Sequence, residues 1–286
     1  MAILTIARLT LREASRRRLL ITVVILTLVM IGLTSWGFSR LTTLTCGRDN
    51  LPCPPAQIKA VTAGLLILVA YMYHAILALG AVFIAAPSIS GDVESGIVLA
   101  MLPRPIRRGD VVLGKWLALT ILVAAYAIVT GALEFAAVDV VTGYLPPHPV
   151  EALLFLAGQS IVLLTFAMLL STRLAPMTTG VISVVIFGLT WMGGIAESIG
   201  YAFNLQAMAD AGTVLRLLMP TDGLWRGVIF YMEPAALLAI GSGAREAAGN
   251  PFFVSAPPPT PYLIWAVAWV VAVLGLTVWS FARRDL

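Results

Sequence analysis

A polar segment of about 25 residues, Gly91–Lys115, stands between two long apolar runs and carries seven charged side chains. It begins with two carboxylates, continues as a short apolar run and then becomes a proline-bounded arginine cluster. Its last part, Gly109–Lys115, has the G-x-x-x-x-G-K spacing of a phosphate-binding loop. The next residue is Trp116, where that loop needs Ser or Thr for magnesium, and no strand pattern precedes it. We therefore expect no nucleotide here, but a helix start whose Lys115 extends to the membrane surface.

Single ionisable residues stand inside the apolar runs. Glu134 and Asp139 lie near the end of one run, and His74 lies within another. Acids inside a membrane are costly, which suggests that Glu134 and Asp139 belong to a transport pathway, but both also suit a solvated span boundary. His74 predicts a helix–helix hydrogen bond more readily than a ligand site. The only other histidine is far along the chain, so we expect no catalytic cluster or metal site.

Composition identifies the elements that must position these residues. The chain has 286 residues, 60% of them hydrophobic and 11% charged, and its mean hydropathy is +0.97. Soluble domains carry about 25% charged residues, so we predict an all-α integral membrane protein with one domain over 1–286. The net charge of +4 is no nucleic-acid signature. Apolar runs of about 20 residues predict six spans, at 19–39, 60–86, 114–141, 151–171, 177–197 and 262–282.

The distribution of basic residues predicts the orientation of these spans. Six spans place both termini on one side, and basic residues collect in the cytoplasm. With the termini inside, twelve of the 18 basic residues are cytoplasmic. We therefore expect a multi-pass plasma-membrane protein with both termini in the cytoplasm, a cytoplasmic loop at 87–113 and an extracytoplasmic region at 198–261. The twelve are Arg8, Arg12, Arg16, Arg17, Arg18, Arg104, Arg107, Arg108, Lys115, Arg173, Arg283 and Arg284.

Two further regions predict helices at the membrane surfaces. Residues 1–18 place apolar side chains on one arc and Arg8, Arg12 and Arg16 on the other, which predicts an interfacial helix. A plain topology signal from the last arginines is the alternative. Within residues 198–261, the apolar pieces Thr213–Leu218 and Leu224–Met232 predict two short helices that dip into the outer interface.

Cys46 and Cys53 share one short polar loop, which faces the outer, oxidising side in this orientation. A disulfide can persist there, although closing so small a loop adds at most a few kcal/mol. Without a nearby histidine the two make a poor zinc site. We expect a structural disulfide, with free thiols and a metal site as alternatives.

The order of these parts resembles the type-2 ABC transporter permeases (ABC-2), over nearly the whole chain. The resemblance implies an amphipathic N-terminal helix, six spans, a coupling helix after the second span and short re-entrant helices before the last. The matching residues are Ile6-Ala7-Arg8 with Leu11-Arg12 and Arg16-Arg17-Arg18, Glu94-Ser95-Gly96, Pro105-Ile106-Arg107-Arg108, Gly114-Lys115 and Phe281-Ala282-Arg283-Arg284-Asp285.

The same resemblance implies the partners and a site. It implies a separate ATPase in two copies, which binds ATP and magnesium, a homodimer or heterodimer of permeases, and no cofactor on this chain. The coupling element would be Gly91–Leu102, beginning with Asp92 and Glu94 because carboxylates suit a helix N-terminus. Its apolar side chains would fill a groove on the ATPase: Ile97, Val98, Met101 and Leu102. Its arginines would contact ATPase acids or lipid headgroups: Arg104, Arg107 and Arg108. The alternative is an ordinary solvated loop.

The function implied is export of an unidentified substrate, and the apolar spans suit an amphiphilic one. A membrane scaffold for an extracytoplasmic machine is one alternative, although it would not need the segment Asp92–Lys115. An integral membrane enzyme is another, although it needs a catalytic set at one depth, which the sparse histidines and acids argue against.

Overall fold

The computed structural model describes residues 2–15, 18–43, 45–46, 51–94, 107–234, 254 and 256–284. These residues form ten helices and one short antiparallel pair of strands, in which Thr45 faces Pro52 and Cys46 faces Leu51. The elements are α1 (Ala2–Ser15), α2 (Arg18–Leu41), β1 (Thr45–Cys46), β2 (Leu51–Pro52), α3 (Pro55–Ala85), α4 (Pro87–Glu94), α5 (Arg108–Thr142), α6 (Pro149–Ser171), α7 (Pro176–Ala202), α8 (Gln206–Leu218), α9 (Thr221–Met232) and α10 (Thr260–Ala282).

Six of these helices are long and apolar enough to cross a membrane: α2, α3 continuing into α4, α5, α6, α7 and α10. This confirms the predicted all-α class and its six spans. Four of the six have proline in the first turn, at Pro55, Pro149, Pro176 and Pro261. Proline suits that position because its missing N–H would have no partner within the helix.

The spans pack around α6. Within α6, 61% of the span is buried, whereas only 6% of the span in α2 is buried. Buried apolar side chains form one cluster near the turn between α5 and α6, and a second near α4 and the end of α10. The first span therefore lies at the edge of the bundle, and α6 forms its centre.

A tight helical hairpin follows the fifth span. α7 and α8 approach so closely that a Cβ atom on Gly200 would lie 2.5 Å from the backbone nitrogen of Ala209. On the facing helix, a Cβ atom on Gly212 would lie 2.5 Å from the backbone of Gly193 and Glu197. Asn204, in the turn between them, has φ 55°, a left-handed conformation that asparagine tolerates. Glycine and a short turn thus bring polar side chains of α7 and α8 together.

Both predicted short helices are present, as α8 and α9, although α8 begins earlier than the apolar piece Thr213–Leu218. The N-terminal helix is present as α1, and Arg8 and Arg12 on it are exposed. Arg16 lies outside the described residues. Whether α1, α8 and α9 lie at a membrane surface stays a prediction.

Candidate functional site

The polar segment is attached to the bundle through Lys115, near the start of α5. The Lys115 ammonium forms an ion pair with Asp92 and donates a hydrogen bond to the Ser88 carbonyl oxygen, 2.5 Å away, both on α4. Only 11% of the Lys115 side chain is exposed. The structure directs the Lys115 ammonium to α4, where Asp92 lies within reach. That Lys115 lies at the membrane surface stays a prediction.

Gly114, next to Lys115 on α5, is in close contact with α1. A Cβ atom there would lie 2.8 Å from Cβ of Ile6 and 2.9 Å from the Ile3 carbonyl oxygen, both on α1. Gly114 therefore lets α1 lie directly on α5, while its neighbour Lys115 holds α4. Residues 109–115 are helical throughout, so they form no phosphate-binding loop.

The carboxylates predicted to begin the coupling helix occupy a different place. Asp92 and Glu94 lie in the last turn of α4, not in its first turn. The helix begins earlier because Ala86, the residue between α3 and α4, keeps a helical conformation and Pro87 suits a first turn. Glu94 is exposed, whereas Asp92 is turned toward Lys115. The remaining residues assigned to coupling lie outside the described part of the chain: Ile97, Val98, Met101, Leu102 and Arg104.

Arginines connect the start of α5 with the ends of α6 and α10. Arg108 donates hydrogen bonds to the carbonyl oxygens of Ala282 (3.2 Å) and Arg284 (2.7 Å). Arg284 in turn donates to the carbonyl oxygen of Thr172, 2.7 Å away, and Arg173 donates to both oxygens of Ser280 at 3.2 Å. Of the predicted arginine pair, Arg108 is thus directed to the end of α10, and Arg107 is exposed.

Glu134 and Asp139 differ in their surroundings. Asp139 is exposed, and its carbonyl oxygen accepts the Gly143 N–H (2.8 Å) that ends α5 in a left-handed turn. Glu134 is half-buried, and its Oε1 has no hydrogen-bond partner among the described residues. Their predicted role in a pathway stays a prediction.

His74 makes the helix–helix hydrogen bond that the sequence predicted. Its Nδ1 lies 2.6 Å from Oε1 of Gln159 on α6, and both side chains are buried. Trp225 of α9 packs on the imidazole, with ring centroids 4.5 Å apart. Among the described residues no group of three or more His, Cys, Asp or Glu side chains could hold a metal ion.

A buried ionic cluster joins α7, α8 and α9, and the sequence did not predict it. The cluster consists of Glu197, Arg216, Asp222 and Arg226, which balance to zero net charge. Arg216 forms an ion pair with Glu197 and another with Asp222 at 3.2 Å. Arg226 lies 3.0 Å from Asp222 and 3.4 Å from Glu197. The two carboxylate side chains are only 8% and 5% exposed, so their pairing compensates for their desolvation.

The electrostatics of this cluster follow from burial. Burial raises the pKa of the Asp222 carboxyl, and the guanidinium groups of Arg226 and Arg216 oppose that rise. Only the i,i+4 spacing of Asp222 and Arg226 gave a signal in the sequence. The other members come from separate helices, so their proximity depends on the α7–α8 hairpin.

Cys53 is buried and disulfide-bonded. The side chain of Cys46, its predicted partner, lies outside the described part of the chain, so this pairing stays a prediction.

The six candidate spans place this chain among the polytopic membrane proteins. Its third span, α5, is joined to α4, where the polar segment begins, through Lys115 and Asp92. The family model described as "ABC-2 family transporter protein" matches residues 4–286. The chain therefore belongs to the ABC-2 family and is a membrane permease component of an ABC transporter, whose partners are an ABC ATPase and the lipid bilayer. A search of curated proteins found no match.

Proposed function

We propose that this chain is the permease subunit of an ATP-driven exporter in the plasma membrane, with both termini in the cytoplasm. A separate ATPase binds ATP and magnesium and hydrolyses the ATP, and this chain binds no cofactor. Two ATPase copies engage two permeases through the element Gly91–Leu102. In this arrangement α1 lies at the inner membrane surface, and α8 and α9 re-enter the membrane from outside.

The attachment of α4 to α5 is the observation that supports this proposal best. α4 follows α3 after a single residue, and Lys115 fixes it to α5 through Asp92 and the Ser88 carbonyl. A partner that moves the segment after Glu94 would therefore move the second and third spans together. The arginine contacts at the end of α10 would carry that motion to the later spans. Rocking of such rigid units is an established form of alternating access.

The test is co-expression of the permease with the ABC ATPase encoded beside it, followed by purification in mild detergent. We expect the ATPase to co-elute and to hydrolyse ATP in the complex. Glu94→Ala should lower co-elution or uncouple hydrolysis, because Glu94 is the exposed acid where the segment leaves α4. Glu151→Ala, at the other end of the bundle, is the matched control and should change neither.

A second variant separates docking from transmission. Lys115→Met removes the bond between α4 and α5 but leaves the exposed end of α4 intact. The ATPase should still co-elute, and transport per ATP hydrolysed should fall. A stable, solitary permease that binds no ATPase would contradict the proposal and favour the scaffold alternative.

A further inference from the structure

The turn after α6 and the last turn of α10 are joined by two buried hydroxyl groups. Oγ1 of Thr172 lies 2.8 Å from Oγ of Ser280, and both side chains are buried. Arg173, which follows α6, donates hydrogen bonds to Ser280 across this contact. Arg284, which follows α10, donates in the opposite direction to the carbonyl oxygen of Thr172. Two guanidinium groups are therefore fixed around one contact between the helix ends.

These two arginines belong to a basic patch that also includes the start of α5. No carboxylate among the described residues forms an ion pair with any arginine of the patch, whereas both arginines of the ionic cluster are paired. Asp285, outside the described residues, would offset only one charge. Like charges gathered in this way repel one another, so an anion would stabilise the patch. Its members are Arg107, Arg108, Arg173, Arg283 and Arg284.

The patch keeps hydrogen-bond donors for such an anion. A guanidinium group carries five N–H donors on three nitrogens. Arg173 uses only Nε and Nη2, and Arg284 uses only Nη1, for bonds to the described residues. Arg173 is also exposed, so a ligand can reach it. The remaining N–H groups suit the oxygens of a phosphate, which guanidinium groups bind in a bidentate manner.

Arg283 continues the patch toward the outer face of α10. The Arg283 guanidinium lies over the Trp279 ring, 4.5 Å from its centroid. Ser280, which holds Arg173, is three residues before Arg283 and is therefore its neighbour on the helix surface. Arg173 and Arg283 thus flank one surface at the end of α10.

The residues beside Arg283 indicate that the phosphate belongs to a lipid. Trp279 is 54% exposed, and Leu276, on the same face of α10, is 50% exposed. Apolar side chains exposed on a span face acyl chains, and tryptophan at the end of such a face is typical of the headgroup level. A phosphate at Arg283 would therefore have room for its acyl chains along α10, on a side that a soluble protein does not reach.

We propose that the ends of α6 and α10 bind the headgroup of an anionic phospholipid. Its phosphate lies at Arg173 and Arg283, Arg284 adds positive charge, and its acyl chains follow α10 past Trp279 and Leu276. Binding stands on these contacts. Its location in the cytoplasmic leaflet, where anionic lipids are enriched, rests on the proposed orientation.

The test is equilibrium binding of radiolabelled phosphatidylglycerol and phosphatidylcholine, with the same acyl chains, to the immobilised permease in an uncharged detergent. We expect saturable binding of phosphatidylglycerol, about tenfold tighter than that of phosphatidylcholine and weakened by salt. Inorganic phosphate should displace it poorly because it has no acyl chains. Equal binding of the two lipids would overturn the proposal, and so would displacement by inorganic phosphate as effective as that by unlabelled phosphatidylglycerol.

A matched pair of variants locates the site. The Arg283 side chain makes no hydrogen bond to the described residues, so Arg283→Gln removes a charge without breaking one. It should weaken phosphatidylglycerol binding several-fold and leave phosphatidylcholine binding unchanged. Arg40→Gln is the control, because Arg40 is also exposed and lies over a tryptophan, Trp36, but at the end of α2 and outside the basic patch. An Arg283→Gln protein that keeps the full preference for phosphatidylglycerol would overturn the assignment.

Co-elution separates a lipid site from an ATPase site. Arg283→Gln should lower lipid binding and leave co-elution of the ATPase unchanged. A variant that loses the ATPase but keeps phosphatidylglycerol would overturn the proposal and assign the patch to the ATPase. Because lipid binding is measured without the ATPase, failure of the exporter proposal would leave the lipid results unchanged.

Discussion

Gly194 lies where the ionic cluster leaves no room for a side chain. A Cβ atom at this position would overlap the Asp222 carboxylate. Its carbonyl oxygen accepts a hydrogen bond from Nη2 of Arg226 at 2.6 Å, and Ser198 accepts a second from the same nitrogen at 2.9 Å. The backbone of α7 is thus itself part of the cluster.

Gly194→Ala should therefore destabilise the protein by about 1–3 kcal/mol, the usual cost of overpacking. The methyl group would displace Asp222 from its arginines. The measurement is the apparent Tm of the detergent-solubilised protein. Gly188→Ala is the control, because a Cβ atom there meets nothing within 4 Å. It should leave Tm unchanged or raise it, since glycine costs stability within a helix; equal losses in both variants would contradict this account.

Glu233, just after α9, is a buried carboxyl with one weak partner. Its Oε1 lies 3.4 Å from the backbone nitrogen of Val254, and its Oε2 has no described partner. Burial raises the pKa of Glu233 to about 7, and the hydrogen bond from the Val254 N–H partly opposes this rise. The Glu233 charge also contributes to raising the pKa of Tyr144 to about 12, although burial of that phenol is the larger cause.

Glu233 should make stability fall as pH rises. Between the ordinary carboxyl pKa of 4.5 and about 7, the folded protein holds this proton and the unfolded chain loses it. The stabilisation is complete below that range and lost above it. Glu233→Gln should thus raise the apparent Tm by a few °C at pH 8 and by much less at pH 5. Glu151→Gln, which is more exposed, is the control; a shift in Glu233→Gln independent of pH would contradict the assignment.

At the scale of elements, α1 depends on one glycine of another helix. Ile3 and Ile6 lie against α5 at Gly114, and Ala7 is buried beside them. The opposite face of α1 carries Arg8, which is exposed. Its amphipathic pattern is visible in the sequence, but its contact with α5 is not.

Gly114→Ala should loosen α1 from the bundle. The added methyl group would lie 2.8 Å from Ile6 and 2.9 Å from the Ile3 carbonyl oxygen, so α1 must move. Hydrogen–deuterium exchange should become faster in residues 2–15, with little change in α6. Gly275→Ala on α10 is unobstructed and serves as the control. Unchanged protection of α1 would show that the helix tolerates the methyl group.

Some helix boundaries could be predicted from neighbouring residues alone, and others could not. Spans were predictable because each is a continuous apolar run. The position of Asp92 and Glu94 in α4 was not predictable from the sequence. It depends on α4 beginning at Pro87 and on the contact of α4 with Lys115, which belongs to the next span.

At the scale of the whole molecule, the charge distribution predicts which side faces the cytoplasm. The turn before α6 and the end of α10 lie at opposite ends of the bundle, and Val150 and Arg283 are exposed there. With the termini inside, Val150→Cys should react with a membrane-impermeant maleimide in intact cells. Arg283→Cys should react only after permeabilisation. The reverse pattern would contradict the predicted orientation.

The sequence by itself determined the membrane class, the six spans and the amphipathic first helix, because each depends on neighbouring residues with a helical or hydrophobic pattern. Only the tertiary structure decided that Glu197, Arg216, Asp222 and Arg226 meet and that Lys115 joins α4 to α5. These arrangements depend on helix packing between distant parts of the chain. The physical reason is that burial and pairing of charged groups arise from three-dimensional proximity, which a linear pattern does not contain.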